Sequence, residues 1–234
     1  MMKYFSLDLE TTCIDPKEPK NVLGIASIYE DSDLALNEDM NSAPSFCAIV
    51  DHGERISGSP FALKLNEWIL DGISDANKEG RDYAYSKDGT KKYPILLNVG
   101  HCEYNFKTIQ NRYKSSIHLI SEDQYGMFDV WKRLDTWLTN VSGINQWRRL
   151  NAAGKNFGSF DFNFLPEMIK RRFRHRFIDP GSVLVDWAEE CLPDSKDIRD
   201  RHLDGGEVTH DMLEDAWDVI RALRTTYLKN TKEQ

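Results

Sequence analysis

Carboxylates and one histidine stand at three places along the chain where they could do chemistry together. Asp8 and Glu10 lie two apart in an apolar, β-prone stretch, and alternation across a strand sends both carboxylates to one face. Two like charges that close in a partly buried strand repel and lose solvation, and a raised pKa or a bound cation relieves the conflict. Taken alone, the pair reads more simply as an exposed strand end with two solvated acids. Asp161 closes the segment Asn156-Phe157-Gly158-Ser159-Phe160-Asp161, between a strand-like run and a helical one, at the edge where open α/β sheets place ligands. A lone aspartate there is usually a helix N-cap. His210 and Asp215 frame the start of the last helical stretch. Five apart, they would not share a helical face, so His210 belongs to the loop ahead and Asp215 to the helix, both aimed at one point.

The elements that must position these groups follow from the apolar pattern. Tyr4 to Leu9, Val22 to Tyr29 and Ser45 to Val50 predict three strands in quick succession. Pro60 with Phe61, Leu63, Leu65, Trp68, Ile69 and Leu70 predicts a helix with Pro in its first turn. Asp71 to Tyr93 is polar and rich in Gly, Lys and Asp, and reads as an exposed loop. Tyr93 to Val99 reads as a strand. Met127, Val130, Trp131, Leu134, Trp137, Leu138 and Val141 repeat at helical spacing and predict an amphipathic core helix rather than an aromatic ligand cage. Leu150 to Lys155 predicts a short strand, Phe162 to Arg172 a helix, Arg176 to Asp179 a strand end, and Thr209 to Tyr227 a long closing helix. The sum is an alternating α/β chain, taken as one domain over residues 1–234.

A length of 234 residues with 40% hydrophobic residues suffices for a full core. No stretch approaches the roughly 18 apolar residues of a membrane span, and Asp8 and Glu10 interrupt any signal-like amino terminus. The expectation is therefore a cytoplasmic protein without a membrane partner. Cys13, Cys47, Cys102 and Cys191 form no Cys-x-x-Cys pair, which excludes a zinc knuckle or a dithiol motif and fits reduced thiols. A net charge of -8 runs against broad duplex binding, which is usually driven by basic surface. A site for divalent cations is acidic by necessity, however, and the ions then supply the positive charge that a phosphate meets.

Together the three clusters resemble the motifs of the DEDDh exonucleases, a family of the ribonuclease H-like superfamily. The first motif is similar to Ser6-Leu7-Asp8-Leu9-Glu10-Thr11-Thr12, the second to Asn156 through Asp161 with Phe164-Leu165 following, and the third to His210-Asp211-Met212-Leu213-Glu214-Asp215-Ala216. The His-x4-Asp form places the resemblance in the histidine branch. The chain departs from the pattern at Cys13, where many relatives have glycine, and at Lys155-Asn156, where many have His-Asn one residue nearer the second aspartate. The long interval between Glu10 and Asp161 implies an insertion between the first and second motifs, a loop around 71–105.

The resemblance implies a ribonuclease H-like mixed sheet of about five strands flanked by helices. It implies a 3′-5′ exonuclease acting on single-stranded nucleic acid, DNA or RNA 3′ ends, with DNA placed first. Asp8, Glu10, Asp161 and Asp215 would hold two divalent ions about 4 Å apart, Mg2+ or Mn2+ because the ligands are hard oxygens, and His210 would act as general base. Leu9, Thr11 and Thr12 would line the terminal-nucleotide pocket, and Asn156 would orient the second motif or touch phosphate. Processivity would come from a partner or a homodimer. The alternatives are an RNA-trimming enzyme resembling oligoribonuclease, a catalytically inactive nucleic-acid-binding module, and another magnesium-dependent α/β phosphohydrolase. The basic run Lys170, Arg171, Arg172, Arg174, His175, Arg176 divides evenly between a backbone-binding surface and a solvated helix end.

Overall fold

Strand β1 (Lys3–Thr11) carries the first two carboxylates and is buried from Tyr4 to Thr11, with Asp8 alone half-exposed. Near-continuous burial of this kind means that both faces of the strand are covered. The computed structural model describes residues 2–16, 21–34, 40–53, 56–98, 129–144 and 148–232, without the side chains of 41 and 227–232. Backbone bonds from Thr12 N–H to the Asn21 carbonyl (2.7 Å) and from Ser32 N–H to the Met2 carbonyl (3.1 Å) tie the two ends of β1 to β2 (Val22–Asp31). Strand β3 (Ser45–Asp51) pairs in parallel with β5 (Lys92–Leu97), which takes β4 (Tyr83–Tyr85) as an antiparallel neighbour. The short β6 (Ala152–Ala153) lies parallel to β1, with Phe5 opposite Ala152 and Ser6 opposite Ala153. The strand order is β4-β5-β3-β2-β1-β6, so this is an α/β fold built on a mixed six-stranded sheet flanked by helices.

The chain forms two compact units, and β1, β2 and β3 run through both. One comprises Met1–Asp8, Ala26–Phe46 and Val141–Gln234, the other Leu9–Ile25 and Cys47–Asn140. In the second, Ser59 caps α1 (Pro60–Leu65) by accepting from the Ala62 N–H, and α2 (Glu67–Glu79) buries Ile69, Ile73 and Ala76 on one face. Helix α3 (Val130–Ser142) turns Val130, Trp131, Leu134 and Leu138 inward, as the sequence spacing predicts; Met127 lies outside the described residues. In the first unit come the one-turn helices α4 (Asp161–Phe164), α5 (Glu167–Lys170) and α6 (Pro180–Val183), then α7 (Ser195–His202) and the closing α8 (Met212–Lys232).

Two expectations are corrected. The stretch 71–93 is no loop: it holds most of α2, the strand β4 and the start of β5. Its polar residues face outward from elements that bury only a thin stripe, which is why composition alone hides them. The rest of the expected 71–105 insertion, from 99 on, lies outside the described residues. Phe162 to Arg172 is two helices rather than one, because Leu165 is extended ahead of Pro166, whose ring disfavours helical geometry in the residue before it. The expected mixed sheet of about five strands flanked by helices is present, with six strands among the described residues. Among those residues, no helix is long and apolar enough to cross a membrane.

Candidate metal centre

The middle of β1 and the first turns of α8 are held together by a buried bond: the Ser6 hydroxyl donates to the Ala216 carbonyl at 2.7 Å. Asp8 follows on β1 and Asp215 precedes Ala216 on α8, so one hydrogen bond sets both acids. Gly154, just past β6, lies so near β1 that a Cβ there would sit 2.7 Å from the Leu7 carbonyl oxygen and 2.8 Å from Phe157 Cβ. Glycine is required for that approach, and it brings the segment carrying Asp161 alongside β1. Phe157, wholly buried, packs edge-on against Phe162, Phe173 and Phe177, and this aromatic cluster fixes the turn that ends at Asp161. Asp161 opens α4 and is only 4% exposed.

Helix α8 begins at a built cap. Asp211, itself buried, accepts from the N–H groups of Leu213 (3.1 Å) and Glu214 (3.4 Å), two donors with no partner inside the helix. His210 precedes it with φ of 51°, a left-handed conformation that costs a non-glycine residue free energy. The cap and the strained residue together turn the imidazole toward the acids: Glu10, His210 and Asp215 offer ligand atoms that all lie within 4.8 Å of one another. Asp8 and Asp161 stand outside that trio and are joined to it by charge.

The electrostatics are those of too many acids for the cations available. Burial, then Asp161 and Asp211, push the Asp8 carboxyl well above the ordinary carboxylate range. Burial, then Asp8, Asp218 and Asp211, push Asp215 up to about 8, against the opposing pull of Arg199. Arg199 is committed elsewhere, since its guanidinium is bonded to Asp218, which Arg221 also approaches at 3.5 Å. Oxygen donors, one imidazole and surplus negative charge suit a hard divalent cation, which would relieve the repulsion that the fold maintains. The residues present therefore fit the metal that the sequence motifs imply.

The remaining expected site residues are placed less directly. Thr12 is fully buried, and its hydroxyl donates to Asn21 Oδ1 at 2.9 Å. The Thr11 hydroxyl donates to the Cys13 carbonyl at 3.0 Å, and its own carbonyl accepts from Asn66 Nδ2 at 3.0 Å. These bonds shape the end of β1, and Leu9 is buried with them. Asn156 is exposed in a left-handed conformation (φ 57°), with its backbone N–H given to Asp179 Oδ2 at 2.9 Å. Asp211 is the residue that motif reading passed over. The signal for it was an aspartate one place ahead of a helix, which sequence reading takes for an ordinary start.

Neither a family profile nor a curated protein matches the chain. Among solved structures, that of E. coli Exonuclease I in complex with a dA16 oligonucleotide is similar at a TM-score of 0.48 and 11% identity, over 98% of this chain and 41% of that one. The chain thus spans less than half the length of that protein.

Proposed function

We propose that the protein is a metal-dependent 3′-5′ exonuclease that hydrolyses phosphodiester bonds of single-stranded nucleic acid, DNA in the first place, with an RNA-trimming activity as the alternative. The observation that carries this reading is the meeting of Glu10, His210 and Asp215 within 4.8 Å, beside an Asp8 and an Asp161 that load the same place with negative charge. Asp8, Glu10, Asp161 and Asp215 hold two ions, Mg2+ or Mn2+. When bound, such ions neutralise charge on the phosphate and on the departing alkoxide. His210, within 4.8 Å of Glu10 and Asp215, takes the proton of the attacking water. Asp211 holds His210 and Asp215 in place through the helix cap. Burial, then the neighbouring Asp161 and Asp211, disfavour the ionised Asp8 carboxylate without a cation, which makes activity conditional on metal.

A second reading of the same trio makes His210 a ligand instead of a base. His210→Ala would then lower manganese affinity along with turnover, whereas loss of a base lowers turnover alone.

The test is a gel time course with 5′-labelled single-stranded DNA and RNA oligonucleotides in magnesium, in manganese and in chelator, beside the Asp8→Asn protein. Metal-dependent shortening from the 3′ end, absent in the variant, is the expected result, and the faster polymer names the substrate. Cleavage of neither polymer overturns the proposal.

A further inference from the structure

The basic run at 170–176 does not act as one surface; the fold sorts it. Arg172 is buried, and the Lys170 ammonium donates to the Asn163 carbonyl at 3.1 Å and lies over the Phe162 ring. Arg174, His175 and Arg176 remain exposed, and they line an open recess of about 540 Å³ with a fourth residue distant in sequence, Arg149. Backbone bonds bring Arg149 there: Leu150 N–H donates to the Arg172 carbonyl (2.7 Å) and Arg174 N–H to the Leu150 carbonyl (2.9 Å), a parallel bridge between Leu150 and Phe173.

The recess concentrates positive charge in a chain whose net charge is -8. Arg149 Nη1 lies 2.6 Å from His175 Nε2, and since a guanidinium has no lone pair to offer, the imidazole accepts and leaves the recess to the arginines' remaining donors. Among the described residues no carboxylate lines it, and Arg149, Arg174 and Arg176 form no ion pair. A solvated helix end would scatter such side chains; here a backbone bridge gathers them from two segments. A second recess of about 650 Å³ shares Arg149 and Arg174 and adds Asn151, the half-buried Tyr29 ring and Lys3, whose ammonium is paired with Asp31 at 2.8 Å, so the two arginines adjoin an aromatic face.

Position separates this surface from the acidic centre. The Lys3 end of β1 adjoins it, and Asp8 lies five residues on, about 16 Å along an extended strand. Planar guanidinium forks suit phosphate oxygens, and repeated cations beside an aromatic face suit a chain of phosphates that carries bases. We infer that the Arg149–Arg174–Arg176 recess is a second binding site, for the phosphate backbone of a single-stranded nucleic acid, remote from the carboxylates. The inference rests on the reading of the protein as one that acts on nucleic acid, and binding alone tests it.

The experiment is fluorescence anisotropy of a fluorescein-labelled oligothymidylate of about 16 nucleotides in chelator, across a salt series. Both side chains of the Arg149→Ala/Arg174→Ala protein are exposed in the parent, and a melting curve verifies its fold. Its affinity should fall about tenfold and its slope of log K on log salt should flatten by about 1.4, the share of two phosphate contacts on a single strand. The same charge change at exposed Lys64 and Lys78 should alter neither. Unchanged affinity and slope in the arginine variant overturn the inference, as does an equal loss in the lysine variant. Oligoglutamate binding as tightly as the oligonucleotide and displacing it also overturns it, by making the site one for acidic peptides. Hydrolysis of a dinucleotide in magnesium keeps the two readings apart. A parent that binds through these arginines yet cleaves nothing contradicts the nuclease alone; a parent that cleaves, with binding unmoved by the variant, contradicts the second site alone.

Discussion

Helix α8 handles buried charge in opposite ways at two points along its length. Arg224 is buried, pairs with the buried Glu30, and gives its remaining donors to the carbonyls of Asp31 (2.9 Å), Ser32 (3.2 Å) and Leu34 (2.8 Å). Every charge there has a partner. About 14 Å earlier on the same helix, Asp215 faces Asp8, Asp211 and Asp218, with Arg199 alone opposing. A fold able to satisfy one buried ion so fully leaves the other in conflict, a conflict that the proposed cation would relieve.

Breaking each end should therefore have opposite consequences. Asp215→Asn removes a carboxyl whose ionisation costs folding free energy and a proposed ligand that turnover needs: activity in the gel assay should vanish, while the metal-free protein melts at the parent's temperature or above it. Arg224→Ala does the reverse. It strands Glu30 in the interior and should cost about 3–5 kcal/mol in urea denaturation, with activity per folded molecule retained. His210→Ala touches neither balance and should lower turnover about a hundredfold or more with little change in stability. Activity within a few fold of the parent would remove His210 from the chemistry.

The smallest effect concerns pH in chelator. Asp215 ionises at 3.8 when unfolded and at about 8 when folded, so between those values the folded chain binds more protons and stability falls as pH rises. Melting curves should drop between pH 5 and 8 by at least the roughly 2–4 °C that corresponds to about 1 kcal/mol in a chain of this size. Manganese should abolish that drop, because a bound cation favours the ionised carboxyl. A melting temperature that rises over this interval in chelator would contradict the sign.

Much of this contrast could be read in the sequence, and its limits have physical causes. β1, β2, β3 and α3 declare themselves because each buries a continuous run or a full stripe of apolar residues. Helix α2 does not, since Ile69, Ile73 and Ala76 are its only buried residues and the remainder is polar. The break at Pro166 was visible as a residue type, but the apolar spacing around it argued for one helix. The residues of the proposed site are legible by type and spacing. Their gathering was not, because it depends on β6 lying beside β1, on the close approach at Gly154 and on the left-handed turn at His210, all of which are long-range or backbone facts. The basic run shows the same limit in reverse: as sequence it was one block, and the fold buried Arg172 and enlisted Arg149.

The most direct test of the acidic centre is calorimetric titration of manganese into the metal-free protein near pH 7, beside Asp215→Asn. Saturable binding with proton release in the parent, lost or much weakened in the variant, is the predicted result, because Asp215 must give up a proton to become a ligand. Absence of binding in the parent, or equal binding by both proteins, would contradict the assignment of this place to a metal.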